Sequence, residues 1–240
     1  MMQTYCFTIQ PLSAFGTPLA GDTLFGQLCW TLRNQLGNDR LNALLQNYTS
    51  GAPFAVVSDA MPAGHVPLPA VPSSLWTAQK EEGRKLLKKK RWLPHAAMTQ
   101  PFAHWQAAAC GDAEVAAQKE RAQPHNTINR QTGTTGDGQF APYAQTQIWF
   151  KADTRFHVHV VLDEARLSLA DLTAALDAMG TTGFGRDASI GLGKFKRIGH
   201  ADTPTWPVAI DTNSYPTLGP CAPQGQGLCP VPSFYQVVPR

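Results

Sequence analysis

The stretch from residue 180 to residue 196 constrains the fold of this 240-residue chain more than any other. Four glycines lie within eleven residues, at Gly183, Gly185, Gly191 and Gly193. Glycine permits positive φ and close backbone approach because it has no Cβ. Successive backbone N–H groups in such a loop can converge on an anion. Arg186 and Lys194 would then hold phosphates by charge, and Ser189 by its hydroxyl.

A second interpretation of the same stretch is purely structural. A helix would end at Gly180 and a hairpin turn would follow, with the glycines serving only backbone geometry. The stretch is not a Walker A motif, because no Gly-Lys-Ser/Thr follows a four-residue gap. It is not a dinucleotide-binding motif either, because the sequence after it predicts a strand, Phe195 to Ile198.

Composition excludes several classes of protein. No run of about 18 apolar residues occurs, so we expect no membrane span. The N-terminus has no basic start followed by an apolar stretch and is not a signal peptide. Five cysteines, an odd number spread along the chain, fit reduced thiols in a cytoplasm. The formal net charge is +3, but residues 80–130 hold ten Lys/Arg against five Asp/Glu. A polyanionic partner is therefore plausible for the middle of the chain.

The periodicities predict alternating strands and helices. Asp22 and Ser168 are the predicted N-caps of the two main helices. The predicted strands are Tyr5–Gln10, Phe54–Ser58, Gln145–Phe150, Phe156–Leu162 and Phe195–Ile198, and the predicted helices are Thr23–Leu36, Leu41–Tyr48 and Leu169–Met179. This order predicts an α+β, ferredoxin-like domain over residues 1–200 with a large insertion at about 73–140. Residues 201–240 are predicted to be irregular, apart from one short strand at 234–238.

The insertion from Ser73 to Arg130 is basic and Ala-rich, and we expect it to be helical. Its basic run extends from Arg84 to Arg91. One interpretation is a solvated helix face anchored by Leu86, Leu87 and Trp92. The other is an electrostatic contact to nucleic acid or to an acidic partner.

The stretch from His125 to Phe140 is dense in short hydrogen-bonding side chains and predicts a long hairpin or a mobile loop. Such side chains suit phosphate and ribose contacts, and Ile128 or Phe140 can wedge against a base. A polar loop that is merely solvated has the same composition.

His157 and His159 fall on one face of a predicted strand. Two histidines at this spacing can bind a metal, but the sequence shows no third ligand, so an exposed sheet face is the favoured interpretation.

Three motifs together resemble a known family. The glycine-rich stretch 183–195 is similar to the G-rich loop of the CRISPR RAMP superfamily. The stretch 21–30 is similar to the first-helix motif of one branch, the fourth subunit of the type III-A (Csm) effector complex. The stretch 125–130, followed by 139–142, resembles the same branch.

The resemblance implies a non-catalytic subunit that binds the 5′ tag of CRISPR RNA. It implies docking to the large signalling subunit and to backbone RAMP subunits, with no metal, cofactor or membrane involved. The residues that it assigns to RNA binding are His125, Asn126, Thr127, Ile128, Asn129, Arg130, Thr132, Phe140, Gly183, Phe184, Gly185, Arg186, Asp187, Ser189, Gly191, Gly193 and Lys194.

Two enzymatic alternatives have different requirements. Some RAMP relatives cut CRISPR repeats without metal, and His125 is the one histidine in a motif expected to face RNA. The sequence shows no acid or tyrosine partner for it. A nucleotide-dependent enzyme is disfavoured because no Mg²⁺-binding carboxylate pair is evident.

Family members usually continue into a second ferredoxin-like half. Only about forty irregular residues follow Gly199 here. We therefore expect a short variant or a chain that lacks its C-terminal part.

Overall fold

A computed structural model describes residues 2–76, 84–206, 216–221 and 234. Its strands are β1 (Met2–Pro11), β2 (Ala55–Val57), β3 (Met61–Pro62), β4 (His65–Pro67), β5 (Lys90–Pro94), β6 (Cys110–Gly111), β7 (Gln118–His125), β8 (Tyr143–Phe150), β9 (Phe156–Asp163) and β10 (Phe195–Asp202). Its α-helices are α1 (Gly21–Leu36), α2 (Asn38–Leu45), α3 (Arg84–Leu87), α4 (Trp105–Ala108), α5 (Asp112–Val115) and α6 (Leu169–Thr182). Short 3₁₀ turns lie at Tyr48–Ser50, Ser73–Leu75, His95–Thr99, Phe102–His104, Gly138–Phe140 and Ala188–Ile190.

The central sheet confirms the predicted α+β, ferredoxin-like architecture. Its strand order is β10-β1-β9-β2, and every neighbouring pair is antiparallel. Taken as the first to fourth strands of a split βαβ unit, these four stand in the order 4-1-3-2. The short strand β3 also pairs with β9. Helices α1 and α6 pack against each other on one face of the sheet.

The main core lies between that face and the two helices. Its members are apolar residues at period 2 on the strands and period 3.6 on the helices. They include Phe7, Ile9, Leu24, Leu28, Leu32, Val158, Val160, Leu172, Leu176 and Met179. Among the described residues, no helix combines the length and the hydropathy needed to cross a lipid bilayer.

The N-terminus of α1 is held differently from the prediction. The helix begins at Gly21 after Ala20, and Asp22 lies in its first turn rather than at the cap. Asp59, which follows β2, accepts the Gly21 N–H at 2.6 Å. The predicted cap of α6 is confirmed, since Ser168 Oγ accepts the Asp171 N–H at 3.1 Å.

The insertion is not mainly helical, contrary to the prediction. The basic run forms one helical turn, α3, and then enters β5 of a small sheet with the order β4-β5-β6. A helical anchor at Leu86 is wrong, because this residue is 58% exposed, whereas Trp92 packs against a second apolar cluster. That cluster is built on Met61, Val66, Leu93 and Ala97.

Strand β8 was expected in the central sheet, but it pairs with β7 in a two-stranded hairpin outside that sheet and is bridged to the chain after β1 at Ile148. Strand β7 lies mostly in the part of the chain that was expected to be helical. We call residues 118–150 the arm.

Part of the C-terminal segment packs on the second cluster. Trp206 and Leu218 lie against it, and the Asp59 N–H donates to Leu218 O at 2.9 Å. Strand β10 is longer than predicted and ends at Asp202. The strand predicted at 234–238 falls outside the described residues apart from Phe234.

The glycine-rich loop, residues 183–194, is packed closely against the chain that follows β1. Gly193 donates its N–H to Ala14 O at 2.7 Å and accepts the Phe184 N–H at 3.0 Å. Gly193 has a φ of +70°, and a Cβ there would lie 2.0 Å from Phe184 O. Helix α6 ends at Thr182 with Gly183 as its C-cap, at a φ of +103°, and not at Gly180 as in the purely structural interpretation.

We expect Gly193→Ala to lower the free energy of unfolding by at least about 3 kcal/mol, because backbone must move to admit the new methyl group. Gly191 is the matched control: its φ is +99°, but nothing lies within 4 Å of its added Cβ. Gly191→Ala should cost only the left-handed strain, about 1–2 kcal/mol. Chemical denaturation of the full chain measures both, and equal losses would contradict the close packing.

Candidate nucleic-acid interface

The arm is a regular antiparallel hairpin in which Gln118 pairs with Phe150 and His125 with Tyr143. Alternate residues of each strand share a face. One face turns inward: Phe150 packs edge-on against Phe15 of the main core, with ring centroids 5.7 Å apart. Phe15 and Ile148 also exchange backbone hydrogen bonds of 2.9 and 2.8 Å. The base of the arm is therefore part of the ferredoxin-like domain.

The other face of the arm is cationic and aromatic. The Arg121 guanidinium lies over the Trp149 ring at 5.8 Å, and Trp149 is 42% exposed. Nearer the tip, His125 stacks on Tyr143, with centroids 5.3 Å apart and planes at 15°. Stacked aromatic rings and guanidinium planes are the groups on which unpaired bases stack. Lys119 shares this face and is exposed.

The tip of the arm, residues 126–142, confirms the predicted hairpin. Asn129 donates its N–H to Thr134 O at 3.0 Å, and its side chain accepts the Gln131 N–H at 2.9 Å. Ile128 is 58% exposed. The exposed polar members of the predicted site here are Asn126, Thr127, Arg130 and Thr132.

Phe140 occupies the other side of the tip. It is partly buried, and its carbonyl accepts the Gly136 N–H at 3.1 Å. Ile128 is thus the more accessible of the two predicted wedges.

The glycine-rich loop does not present a nest of N–H groups. Eight of its N–H groups, those of Gly183, Phe184, Arg186, Ile190, Gly191, Leu192, Gly193 and Lys194, already donate within the protein. The expectation that successive N–H groups converge on an anion is therefore wrong for most of the loop. The loop groups left to contact an anion are therefore mainly side chains.

Two of the predicted anion-binding side chains on the loop are exposed, whereas two other predicted residues are packed inside the protein. Ser189 and Lys194 are exposed. Phe184 is fully buried and packs on Phe15 at 6.4 Å, so it supports the loop and offers no surface to RNA. A Cβ at Gly185 would lie 2.6 Å from Thr17, which shows how tightly this residue is packed.

Arg186 connects the loop to the arm. Its Nη2 donates to Thr146 O of β8 at 2.9 Å, and its Nε lies 3.2 Å from Asp187 Oδ2. The side chain remains 49% exposed. The glycine-rich loop is thereby hydrogen-bonded to β8, the strand that follows the tip of the arm.

The histidine pair on β9 is not on an exposed sheet face, contrary to the favoured interpretation. His159 is 8% exposed, and burial lowers its pKa to about 4. Its cross-strand partner is Cys6, 5% exposed, whose thiol pKa burial raises to about 11. Together with His157, these residues form a Cys-His-His cluster.

The sequence interpretation missed Lys119, Arg121, Tyr143 and Trp149. A strand is recognised in a sequence by apolar residues at every second position. Strand β7 carries charged residues on both faces, so it shows no such alternation. The sequence also gives no sign that Tyr143, on the opposite strand, stacks on His125.

The sequence matches no protein-family model and no curated protein. Similar solved structures exist. A chain in the crystal structure of a Csm1-Csm4 cassette with pppApA superposes with a TM-score of 0.52 at 16% identity, over 82% of this chain and 70% of that one. The structure of the same cassette with AMPPNP gives a TM-score of 0.51 at 16% identity, over 82% of this chain and 71% of that one.

A third structure is the Csm3-Csm4 subcomplex of the type III-A CRISPR-Cas interference complex. It gives a TM-score of 0.52 at 10% identity, over 81% of this chain and 69% of that one. Csm4 is the component that these three structures have in common. The chain therefore shares an α+β fold with a chain of these Csm4-containing structures.

Proposed function

We propose that this chain is a non-catalytic, cytoplasmic RNA-binding subunit of a type III-A CRISPR interference complex, and that it binds the 5′ tag of CRISPR RNA. The observation that carries the proposal is the junction between the glycine-rich loop and the arm, where Arg186 donates to Thr146 O at 2.9 Å. Thr146 is three residues from Tyr143, where the tip begins, which is about 10 Å along a strand. A few nucleotides of extended RNA span that distance.

Along this surface the chemistry changes from charge to stacking. Lys194 and Ser189 on the loop suit phosphate oxygens. Tyr143 and Trp149 on the arm suit bases, which stack on aromatic faces without regard to sequence. Ile128 at the tip is placed to insert between bases and bend the RNA where the tag meets the guide.

The proposed protein partners follow from the structural neighbours, in which Csm4 is paired with Csm1 or with Csm3. By that analogy this chain docks a large signalling subunit and the backbone RAMP subunits. Its own role is then to hold one end of the RNA and of the assembly.

The test of this function is co-purification from the native host with a tagged full-length chain. We expect CRISPR RNAs that share one 5′ tag, a large signalling subunit and backbone subunits. Recovery of the chain with none of these RNAs or proteins would overturn the proposal.

A metal-independent endoribonuclease that processes CRISPR repeat RNA is the second candidate, because Tyr143 lies beside His125. Their rings are stacked, an arrangement that serves a base-stacking platform at least as well as proton transfer. This candidate replaces the first if the purified chain cuts repeat RNA without metal, loses that activity in His125→Ala, and keeps it in His104→Ala, an exposed control.

Lys194→Ala should weaken tag-RNA binding and reduce the slope of log K against log salt by about 0.7, the value for one phosphate contact on a single strand. Arg186→Ala should reduce it by a similar amount and also loosen the arm from the loop. Arg40→Ala, at an exposed residue of α2, is the control and should leave the slope unchanged. If neither loop variant changes the slope in salt titrations of the full chain, the loop is only a turn.

Replacing Ile128 by Ala, alone or with Phe140→Ala, should abolish the RNA distortion at the tag–guide junction while leaving the salt slope intact, because no charge is removed. A fluorescent base analogue at the junction of the assembled complex reports the stacking. Leu86→Ala is the control, since Leu86 and Ile128 are equally exposed at 58%. The same fluorescence for the Ile128 variants and the parent would rule out the wedge.

A further inference from the structure

A cluster of metal-ligating side chains lies on the sheet face opposite α1 and α6, away from the proposed RNA surface. Cys6 projects from β1, and His157 and His159 project from β9. Cys6 is directly opposite His159 in the antiparallel register, which places their side chains on the same face. One ligand atom from each of the three residues lies within 4.8 Å of the other two.

The cluster is covered rather than open to bulk water. The ring of Trp206 lies 4.9 Å from that of His159 and 5.1 Å from that of His95, both measured between centroids. His159 Nδ1 is buried, and no hydrogen-bond partner for it exists among the described residues. A buried polar atom without a partner costs free energy, so its presence calls for an occupant of the site.

We propose that Cys6, His157 and His159 bind one zinc ion, with a water molecule as the fourth ligand. A thiolate with two imidazoles is a donor set that zinc prefers, in tetrahedral geometry at about 2.3 Å for sulfur and 2.0–2.1 Å for nitrogen. Those bond lengths put the ligand atoms about 3.5 Å apart, so small side-chain rotations close the cluster from its present spacing. Half-buried His157 leaves a path by which water reaches the fourth position.

Binding has two chemical consequences at the ligands. Cys6 loses its thiol proton to solvent when its sulfur coordinates the ion. His157 Nδ1 now accepts the Gly64 N–H at 3.3 Å. A coordinated imidazole keeps its other nitrogen protonated, so this long hydrogen bond ends whichever nitrogen binds zinc.

The site would cross-link two strands that already pair in the central sheet. Its ligands lie on the two central strands of the sheet, and its cover is Trp206 together with His95 from the insertion. A zinc ion here would fix the relative positions of β1 and β9 on the sheet face that Trp206 covers. This role is structural and does not depend on RNA binding.

The test uses the full-length chain, purified without a polyhistidine tag and reconstituted with zinc or with cobalt(II). We expect one zinc per chain by elemental analysis and, with cobalt, a thiolate-to-metal charge-transfer band together with tetrahedral d–d bands. Cys6→Ser should remove the charge-transfer band. His157→Gln and His159→Gln should each weaken zinc binding by more than the roughly 10- to 100-fold that loss of an outer-shell partner costs.

Matched controls keep the test decisive if a variant is unstable. Cys29→Ser replaces another partly buried thiol, on α1, and His104→Gln replaces an exposed histidine. Both should keep the band and the zinc affinity, and circular dichroism verifies folding. Failure of the folded parent chain to bind zinc, or a charge-transfer band that persists in Cys6→Ser, would overturn the proposal.

Discussion

The backbone contact between the glycine-rich loop and the segment after β1 is the constraint on which the rest of the structure depends. At Gly193 a carbonyl oxygen would lie 2.0 Å from any Cβ, so the loop has one arrangement against the chain at Ala14. The neighbouring residue, Phe15, binds Ile148 of the arm through two backbone hydrogen bonds. Loop, segment and arm are remote in sequence, and this contact makes them a single unit.

A rigid base with an exposed tip suits the capture of a flexible strand. Ordering groups at an interface costs roughly 0.5–1.5 kcal/mol for each immobilised side chain. Arg186 is already held by Thr146 and Asp187, so little of that cost remains for this side chain. The cost remains for the exposed side chains, which are Ser189 and Lys194 on the loop and Ile128 and Arg130 at the tip. Affinity can thus come from the base while the tip adapts to the RNA.

The sequence predicts the local elements well and the long-range pairings poorly. The helices α1 and α6 and the strands β1 and β9 follow from hydrophobic periodicity, and the ferredoxin-like order follows from their succession. Strand β7 has no apolar face, so its own sequence does not identify it as a strand. Its extended conformation comes from pairing with β8. The same holds for the Cys6–His159 register and for the Arg186–Thr146 bond, each of which joins residues far apart in the sequence.

The sheet face opposite α1 and α6 is covered, and this explains why the candidate nucleic-acid interface lies on the arm and not on the sheet. RNA-recognition modules of similar layer architecture stack bases on the open face of a four-stranded sheet. Here that face carries Cys6 and His159, both buried, with Trp206 packed against His159. A base cannot reach strands that are already covered. The proposed contact with a nucleic acid would then involve elements that project beyond the sheet, and the arm is such an element, with Arg121 over exposed Trp149 and His125 stacked on Tyr143.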